Sequence, residues 1–174
     1  MSRPWIVIIV GALLLVACSG PQGSVLGEVE VASLDANGST RFVASLSGAE
    51  EVPPATTRAR GVATFALDAS GDALAYRLIV ANIENVTMAH IHLAPAGVNG
   101  PVVAWLYPDG PPPQPIPGRS QGVLAEGVIT DADLVGPLAG QTLDDLLERF
   151  AEGNAYVNVH TSQFPGGEVR GQIR

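Results

Sequence analysis

Eight short segments of alternating apolar and polar residues follow one another along this chain, and they limit the folds it can adopt. They are RFVASLSG, GVATFALD, ALAYRLIVANI, MAHIHLA, VVAWLYP, GVLAEGVI, AYVNVHT and GEVRGQI, spread over residues 41–173. A period of two places successive side chains on opposite faces of a β-strand. Short strands at this spacing predict an all-β domain, an antiparallel Greek-key β-sandwich or barrel of about eight strands.

One segment, TLDDLLERFAEG at 142–153, has helical rather than strand periodicity. Its apolar residues follow the spacing i, i+3, i+4 and i+7, at Leu143, Leu146, Leu147 and Phe150. Thr142 and Asp145 form the pattern of a capping box, and Gly153 is suited to end the helix. The sequence therefore predicts one short helix whose apolar side covers part of the β-structure.

Two connections can also be predicted. LDASGDAL at 67–74 places turn residues between two alternating segments, which indicates a hairpin. PDGPPPQPIPG at 108–118 cannot form a regular hydrogen-bonded ladder at its prolines, so we expect an exposed, partly extended loop. Such a loop is either a stiff connection or a proline-rich ligand for a partner protein.

The N-terminus has the features of an export signal. Arg3 is followed by the apolar run WIVIIVGALLLV at 5–16, which is too short to span a bilayer comfortably. The residues LVAC at 15–18 resemble the lipobox of bacterial lipoproteins, in which the cysteine becomes the acylated first residue of the mature protein. Cys18 is the only cysteine, so an internal disulfide is excluded, and lipidation accounts for a lone thiol in an exported protein.

These observations divide the chain into a signal peptide with its lipobox at 1–18, a Gly/Ser-rich tether at 19–40 and one folded domain at 41–174. We expect a membrane anchor at Cys18 on the periplasmic or cell-surface side. Ser19 in place of an aspartate retention signal favours the outer membrane where one exists. The net charge of -8 and the lack of lysine argue against a nucleic-acid partner.

The chain has three histidines, confined to AHIHLA and AYVNVHT. Strand alternation places His90 and His92 on the face opposite to Ala89 and Ile91, and it places His160 on the polar face of its own strand. Residues i and i+2 of a strand are ~7 Å apart, so two imidazoles can lean onto one ion and a third can come from a neighbouring strand. The alternative is that these are ordinary solvated strand residues.

Three imidazoles without a thiolate suit Cu(II), Zn(II) or Ni(II), of which copper binds most tightly, and they leave a coordination position for water or another ligand. We expect copper or zinc. Tyr107, Tyr156 and Asn158 are candidates for groups that support the ligands through hydrogen bonds. Glu50 and Glu51 are a further acidic pair, but adjacent strand residues point in opposite directions. We therefore interpret them as a solvated strand end rather than as an acid–base pair.

The segments LSGAEEVPPATTRARGVATFALDASGDALAYRLIVANI, AHIHLAPAGVNGPVVAWLY and GNAYVNVHTSQFPGGEVRGQI together resemble the CHRD domain, a module repeated in chordin and found in many exported bacterial proteins. The resemblance implies a β-domain with no well-established enzymatic activity. A weaker similarity connects the order of His90, His92 and His160 with copper-zinc superoxide dismutase. The chain has no further histidines for that family's zinc site and no disulfide pair.

Three functional hypotheses follow from the sequence. The first is a lipid-anchored module that binds one copper or zinc ion through His90, His92 and His160. The second is a structural or protein-interaction domain of the cell envelope that uses no metal. The third is a redox enzyme of the superoxide dismutase type.

Overall fold

A computed structural model describes residues 33–34 and 40–174 of the chain. It contains eight strands and one α-helix in these ranges: β1 Ser33–Leu34, β2 Thr40–Ser47, β3 Arg60–Leu67, β4 Leu74–Leu93, β5 Val102–Tyr107, β6 Ile116–Ile129, α1 Leu143–Ala151, β7 Ala155–Thr161 and β8 Val169–Gln172. The predicted all-β class with one short helix is confirmed. The predicted signal peptide with Cys18, and all of the predicted tether except Ser33, Leu34 and Thr40, lie outside the described residues.

The strands form one antiparallel sheet that closes on itself. Its order is β1-β2-β3-β4-β7-β8, with β5 and β6 also paired to β4. Pairing of Ser47 with Arg170 joins β2 to β8 and closes the sheet into a barrel. Apolar side chains from every strand between β2 and β8 fill the barrel, among them Phe65, Ile91 and Val157. The strand β1 pairs with the start of β2, so two residues of the predicted tether lie against the sheet.

The longest strand, β4, joins two segments that the sequence predicts as separate strands. Its first part pairs with β3 and β6, and its last part pairs with β5 and β7. Between the two parts, Asn82 and Asn85 have positive φ angles of 56° and 54°, and the register with β6 shifts there. Asparagine tolerates this backbone region better than most residues, so the strand can change direction without ending.

The helix lies where the sequence predicts it. Thr142 accepts a hydrogen bond from the Asp145 amide, and the Asp145 carboxylate accepts one from the Thr142 amide, which completes the capping box. Phe150 packs against Phe42 and Phe65, with ring centroids 5.2 and 5.3 Å away. The apolar side of α1 therefore covers one part of the barrel, as expected. None of the helices in the described part of the chain has the length and hydropathy needed to cross a membrane.

The two predicted connections are largely as expected. Leu67 pairs directly with Leu74 across the hairpin between β3 and β4. The proline-rich connection is exposed over 111–115. It is shorter than predicted, because 116–118 already belong to β6, where Ile116 pairs with Val86. A proline can occupy this position because β6 pairs only with β4 in the described sheet.

The sheet has a second buried face at its β4–β7 part. Ala89, Ile91, Val157 and Val159 point into the barrel, while the residues between them point to the opposite face. That opposite face is also buried, since every residue of β7 is buried. The histidines lie on this face, opposite to Ala89 and Ile91 as alternation predicts. The alternative that they are solvated strand residues is wrong, because loops cover this face.

Candidate metal centre

The pairing of β4 with β7 brings the three histidines together on this second face. Across the two strands, Met88 lies opposite His160, His90 opposite Asn158 and His92 opposite Tyr156. Residues paired in this way share a face of the sheet, with Cβ atoms ~5 Å apart. His160 is therefore a diagonal neighbour of His90, although the two are 70 positions apart in the chain.

One ring nitrogen from each histidine lies within 4.8 Å of the other two. The Nδ1 atom of His90 is 3.3 Å from Nε2 of His160. Two nitrogens bound to one tetrahedral ion with bonds of 2.0–2.1 Å are about 3.3–3.4 Å apart. The spacing of this pair matches that of two ligands on a common ion.

Backbone carbonyls fix the orientation of two of the rings. His92 donates from Nδ1 to the Gly100 carbonyl at 2.9 Å, and His160 donates from Nδ1 to the Pro165 carbonyl at 2.9 Å. A Cβ atom at Gly100 would collide with the Leu93 carbonyl, so this close approach requires glycine. Because the Nδ1 atoms are occupied, Nε2 of each ring keeps its lone pair for another partner.

The cluster is buried, which favours uncharged rings. The exposed fractions are 3% for His90, 9% for His92 and 6% for His160. Burial, together with the neighbouring His160 and His92, lowers the pKa of His90 to about 3. Burial lowers the pKa of His92 to about 4, and it also lowers the pKa of His160. Neutral imidazole is the form that binds metal ions.

Two of the ring nitrogens have no protein partner. Nε2 of His90 and Nε2 of His92 are buried, and no described residue forms a hydrogen bond with either atom. A buried polar atom without a partner costs about 1–3 kcal/mol. A metal ion bound in the cluster would offset that cost where an unprotonated nitrogen becomes a ligand.

Aromatic and cationic side chains support the rings from the sides. The ring of Tyr156 stacks on the His92 ring, with centroids 4.9 Å apart and an angle of 7° between the ring planes. The guanidinium carbon of Arg170 lies over the same tyrosine ring, 3.4 Å from its centroid. Trp105 contacts His90 edge-on, with centroids 4.2 Å apart. Arg170 also donates to the Val98 carbonyl at 2.8 Å, so it ties the loop after β4 to the cluster.

Glu51 lies beside this cluster, although the sequence analysis places it at a solvated strand end. Only 5% of Glu51 is exposed, and both of its carboxylate oxygens accept hydrogen bonds from Nδ2 of Asn158, at 2.8 and 3.0 Å. Burial raises the pKa of Glu51 to about 7, while the charge of Arg170 opposes that shift. The prediction fails because Gly48–Glu50 forms a 3₁₀ turn, which directs Glu50 outward and Glu51 inward.

The structure separates the three predicted supporting residues. Tyr156 stacks directly on His92, and its hydroxyl accepts a hydrogen bond from the Gly100 amide at 3.1 Å. Asn158 lies opposite His90 and binds Glu51. Tyr107 instead donates to the Gln114 carbonyl at 2.8 Å, in the proline-rich connection. It therefore supports that loop and makes no hydrogen bond to the histidines within the described residues.

Trp105, Arg170 and Glu51 are neighbours of the histidines that were not predicted from the sequence. Strand alternation places Trp105 and Arg170 on definite faces, but only the register of β5 with β4 and of β8 with β7 brings them to this site. The proline pair after Val52 in EVPP was a signal that the strand must end before Glu51. Taken together, these residues form a buried, neutral, nitrogen-rich cluster that could hold a metal ion.

Comparison with known proteins identifies the domain. Residues 42–173 match the protein family described as CHRD domain. No curated protein matches the chain, and no solved structure matches it. The family match spans β2 to β8 and includes all three histidines.

Proposed function

Because the chain belongs to the CHRD domain family, we propose that its folded part is a binding module that holds one copper or zinc ion through His90, His92 and His160. One observation carries the proposal: ring nitrogens from all three histidines of the chain come within 4.8 Å of one another in a buried cluster. Two carbonyls orient the rings of His92 and His160 so that their Nε2 atoms are available.

The donor set narrows the choice of metal. Three neutral imidazoles suit copper and zinc, and copper binds such sites more tightly than zinc does. Hard cations such as calcium and magnesium prefer oxygen ligands, which the cluster does not supply. A module of this kind would sequester or deliver copper at the cell envelope.

A titration of the purified full-length chain with Cu(II) and Zn(II) tests the metal site. The protein should carry Cys18→Ser, so that no thiol competes for the ion. We expect one ion per chain, and replacing any one of the histidines with alanine should weaken binding by about 100-fold or more, beyond the loss typical of a supporting residue. Ser162→Ala, at an exposed position near the cluster, is the control and should bind normally. A metal affinity that is unchanged in all three histidine variants contradicts the proposal.

The same copper-loaded protein tests the dismutase hypothesis. Superoxide removal no faster than that of free copper excludes this activity and leaves the binding role.

We also propose that the module is exported and anchored through an acylated Cys18, which the lipobox-like residues at 15–18 support. Firm anchoring requires more than one acyl chain, because a single chain binds membranes only marginally. The full chain expressed in a bacterium should fractionate with membranes, and a Cys18→Ser variant should lose the acyl label. An unlabelled wild-type protein contradicts the anchor.

A protein-interaction role without a metal is a second candidate, favoured by the exposed prolines at 111–113 and 115. Shortening this loop should abolish cross-linking to an envelope protein, and a chelator should leave the cross-linking of the wild-type protein unchanged, because this role uses no metal. Cross-linking that survives the shortening contradicts a role for the loop.

A further inference from the structure

The side chain of Asn158 lies on the same face of the sheet as the three histidines. In the paired strands β4 and β7 it lies opposite His90, with His160 two positions along on the same face and His92 diagonally across. Only 3% of Asn158 is exposed. An amide group is therefore buried among three imidazoles, where every donor and acceptor needs a partner.

Glu51 determines how this amide is oriented. A carboxylate can only accept hydrogen bonds, so the Asn158 atom that contacts both Glu51 oxygens is the nitrogen Nδ2. The carbonyl oxygen Oδ1 then points away from Glu51. Gly167 packs close over this pair, and a Cβ atom there would collide with the Asn158 amide nitrogen.

The carbonyl oxygen Oδ1 of Asn158 is buried and accepts no hydrogen bond from any residue that the structure describes. The neighbouring Nδ1–H groups of His92 and His160 already donate to backbone carbonyls. The tyrosine on the same face, Tyr156, receives a hydrogen bond from Gly100 and stacks between His92 and Arg170. Within the described residues Oδ1 has no donor, and a ligand bound at the histidine cluster would supply one.

Three imidazoles leave a fourth coordination position on the ion for an exchangeable ligand. We infer that Asn158 Oδ1 accepts a hydrogen bond from a water or amine bound at this fourth position, and that Glu51 is the positioning residue which holds the amide in that orientation. The inference rests on the proposed metal site and deepens it. The site would bind neutral ligands that can donate a hydrogen bond, such as water, in preference to anions such as azide. The lone pairs of an anion would face Oδ1 and be repelled by it.

The experiment is an azide titration of the Cu(II)-loaded full-length chain with Cys18→Ser, followed by the charge-transfer absorption and by electron paramagnetic resonance. The pH is held above the pKa of Glu51, so that its carboxylate is ionised. Asn158→Leu should bind azide about five- to tenfold more tightly than wild type, the effect of removing about 1 kcal/mol of hydrogen bonding. Its copper affinity should stay within about threefold of wild type, since Oδ1 makes no hydrogen bond to a histidine ring and so does not orient a ligand.

Glu51→Gln is a second variant, which tests the same inference if Asn158→Leu fails to fold. It retains the shape of Glu51 and removes the carboxylate that fixes the amide, so azide affinity should rise in the same direction by a smaller factor. The control Gln163→Ala changes an exposed residue near the cluster and should leave azide affinity unchanged.

The outcomes separate this inference from the proposed function. Wild-type protein that fails to bind copper overturns both. Stoichiometric copper binding with equal azide affinity in wild type, Asn158→Leu and Glu51→Gln overturns only the inference. A loss of copper affinity of tenfold or more in Asn158→Leu also overturns it, because Oδ1 would then be a metal ligand or the partner of His90.

Discussion

The position of His92 depends on a residue that has no side chain. The Gly100 carbonyl accepts from His92 Nδ1, and the Gly100 amide donates to the Tyr156 hydroxyl. The backbone of one residue therefore orients both the ligand and the ring stacked on it. The absence of a Cβ atom at Gly100 lets this backbone pass close to the Leu93 carbonyl.

Gly100→Ala should displace the backbone at position 100, which holds His92 and Tyr156, and so weaken metal binding. Relieving the overlap with Leu93 should lower the free energy of unfolding by about 1–3 kcal/mol. It should also reduce metal affinity by about tenfold, the loss typical of a disturbed supporting group. Urea denaturation and metal titration measure the two effects. Gly166→Ala is the matched control, because an added Cβ there meets no atom within 4 Å. Normal metal affinity in Gly100→Ala would contradict this role.

The buried ionisable groups make opposite contributions to the pH dependence of stability. The pKa values of His90 and His92 are about 3 and 4 in the fold, below their ordinary value of 6.5, so the unfolded chain binds more protons there and the metal-free protein loses stability as the pH falls below 6.5. The pKa of Glu51 is raised from 4.5 to about 7. Glu51 therefore stays protonated to higher pH in the folded state than in the unfolded chain. Its contribution to the free energy of unfolding decreases as the pH rises from 4.5 to about 7.

Glu51→Gln isolates the contribution of Glu51. Relative to wild type, the variant should gain about 1–3 kcal/mol of unfolding free energy between the two pKa values of Glu51, because its amide never ionises. Urea denaturation of both proteins with a chelator present, at several pH values across this window, gives the difference. A difference that does not change with pH contradicts a buried, titrating Glu51.

Among the secondary-structure elements, α1 contributes to the barrel core and lies apart from the histidines. Phe150→Ala should lower the free energy of unfolding by about 3–5 kcal/mol, because the ring fills space between Phe42 and Phe65. Thermal or urea unfolding measures the loss. The protein that remains folded should bind metal with normal affinity. Glu148→Ala, on the exposed side of the same helix, should change stability by less than about 0.5 kcal/mol. A specific loss of metal affinity in Phe150→Ala would show that α1 acts on the site.

The sequence predicted the elements better than their surroundings. Alternation correctly placed His90 and His92 opposite to Ala89 and Ile91, because a period of two is a property of the single strand. It could not predict that this face is buried, since the carbonyls that cover it come from loops around Gly100 and Pro165. The sequence also could not predict that two of the expected strands join in β4, because this depends on the positive φ angles of Asn82 and Asn85.

For the molecule as a whole, a metal that binds only the folded barrel should stabilise it. At a free Zn(II) concentration about 100 times the dissociation constant, the gain in unfolding free energy should be about 2.7 kcal/mol. Differential scanning calorimetry with and without Zn(II) should show the midpoint of unfolding rise by several degrees, and a chelator should reverse it. His92→Ala should show little shift under the same conditions. An equal shift in this variant would mean that the ion binds elsewhere.

The register between β4 and β7 has a consequence for assembly kinetics. His90 and His92 are local neighbours, so a refolding chain can present this two-ligand half-site early, whereas His160 arrives only when a segment 70 positions away docks beside them. Long-range strand pairing of this kind is slow, because the loop must close before the contacts form. Binding of the ion at full affinity would then be a kinetic marker of the β4–β7 pairing.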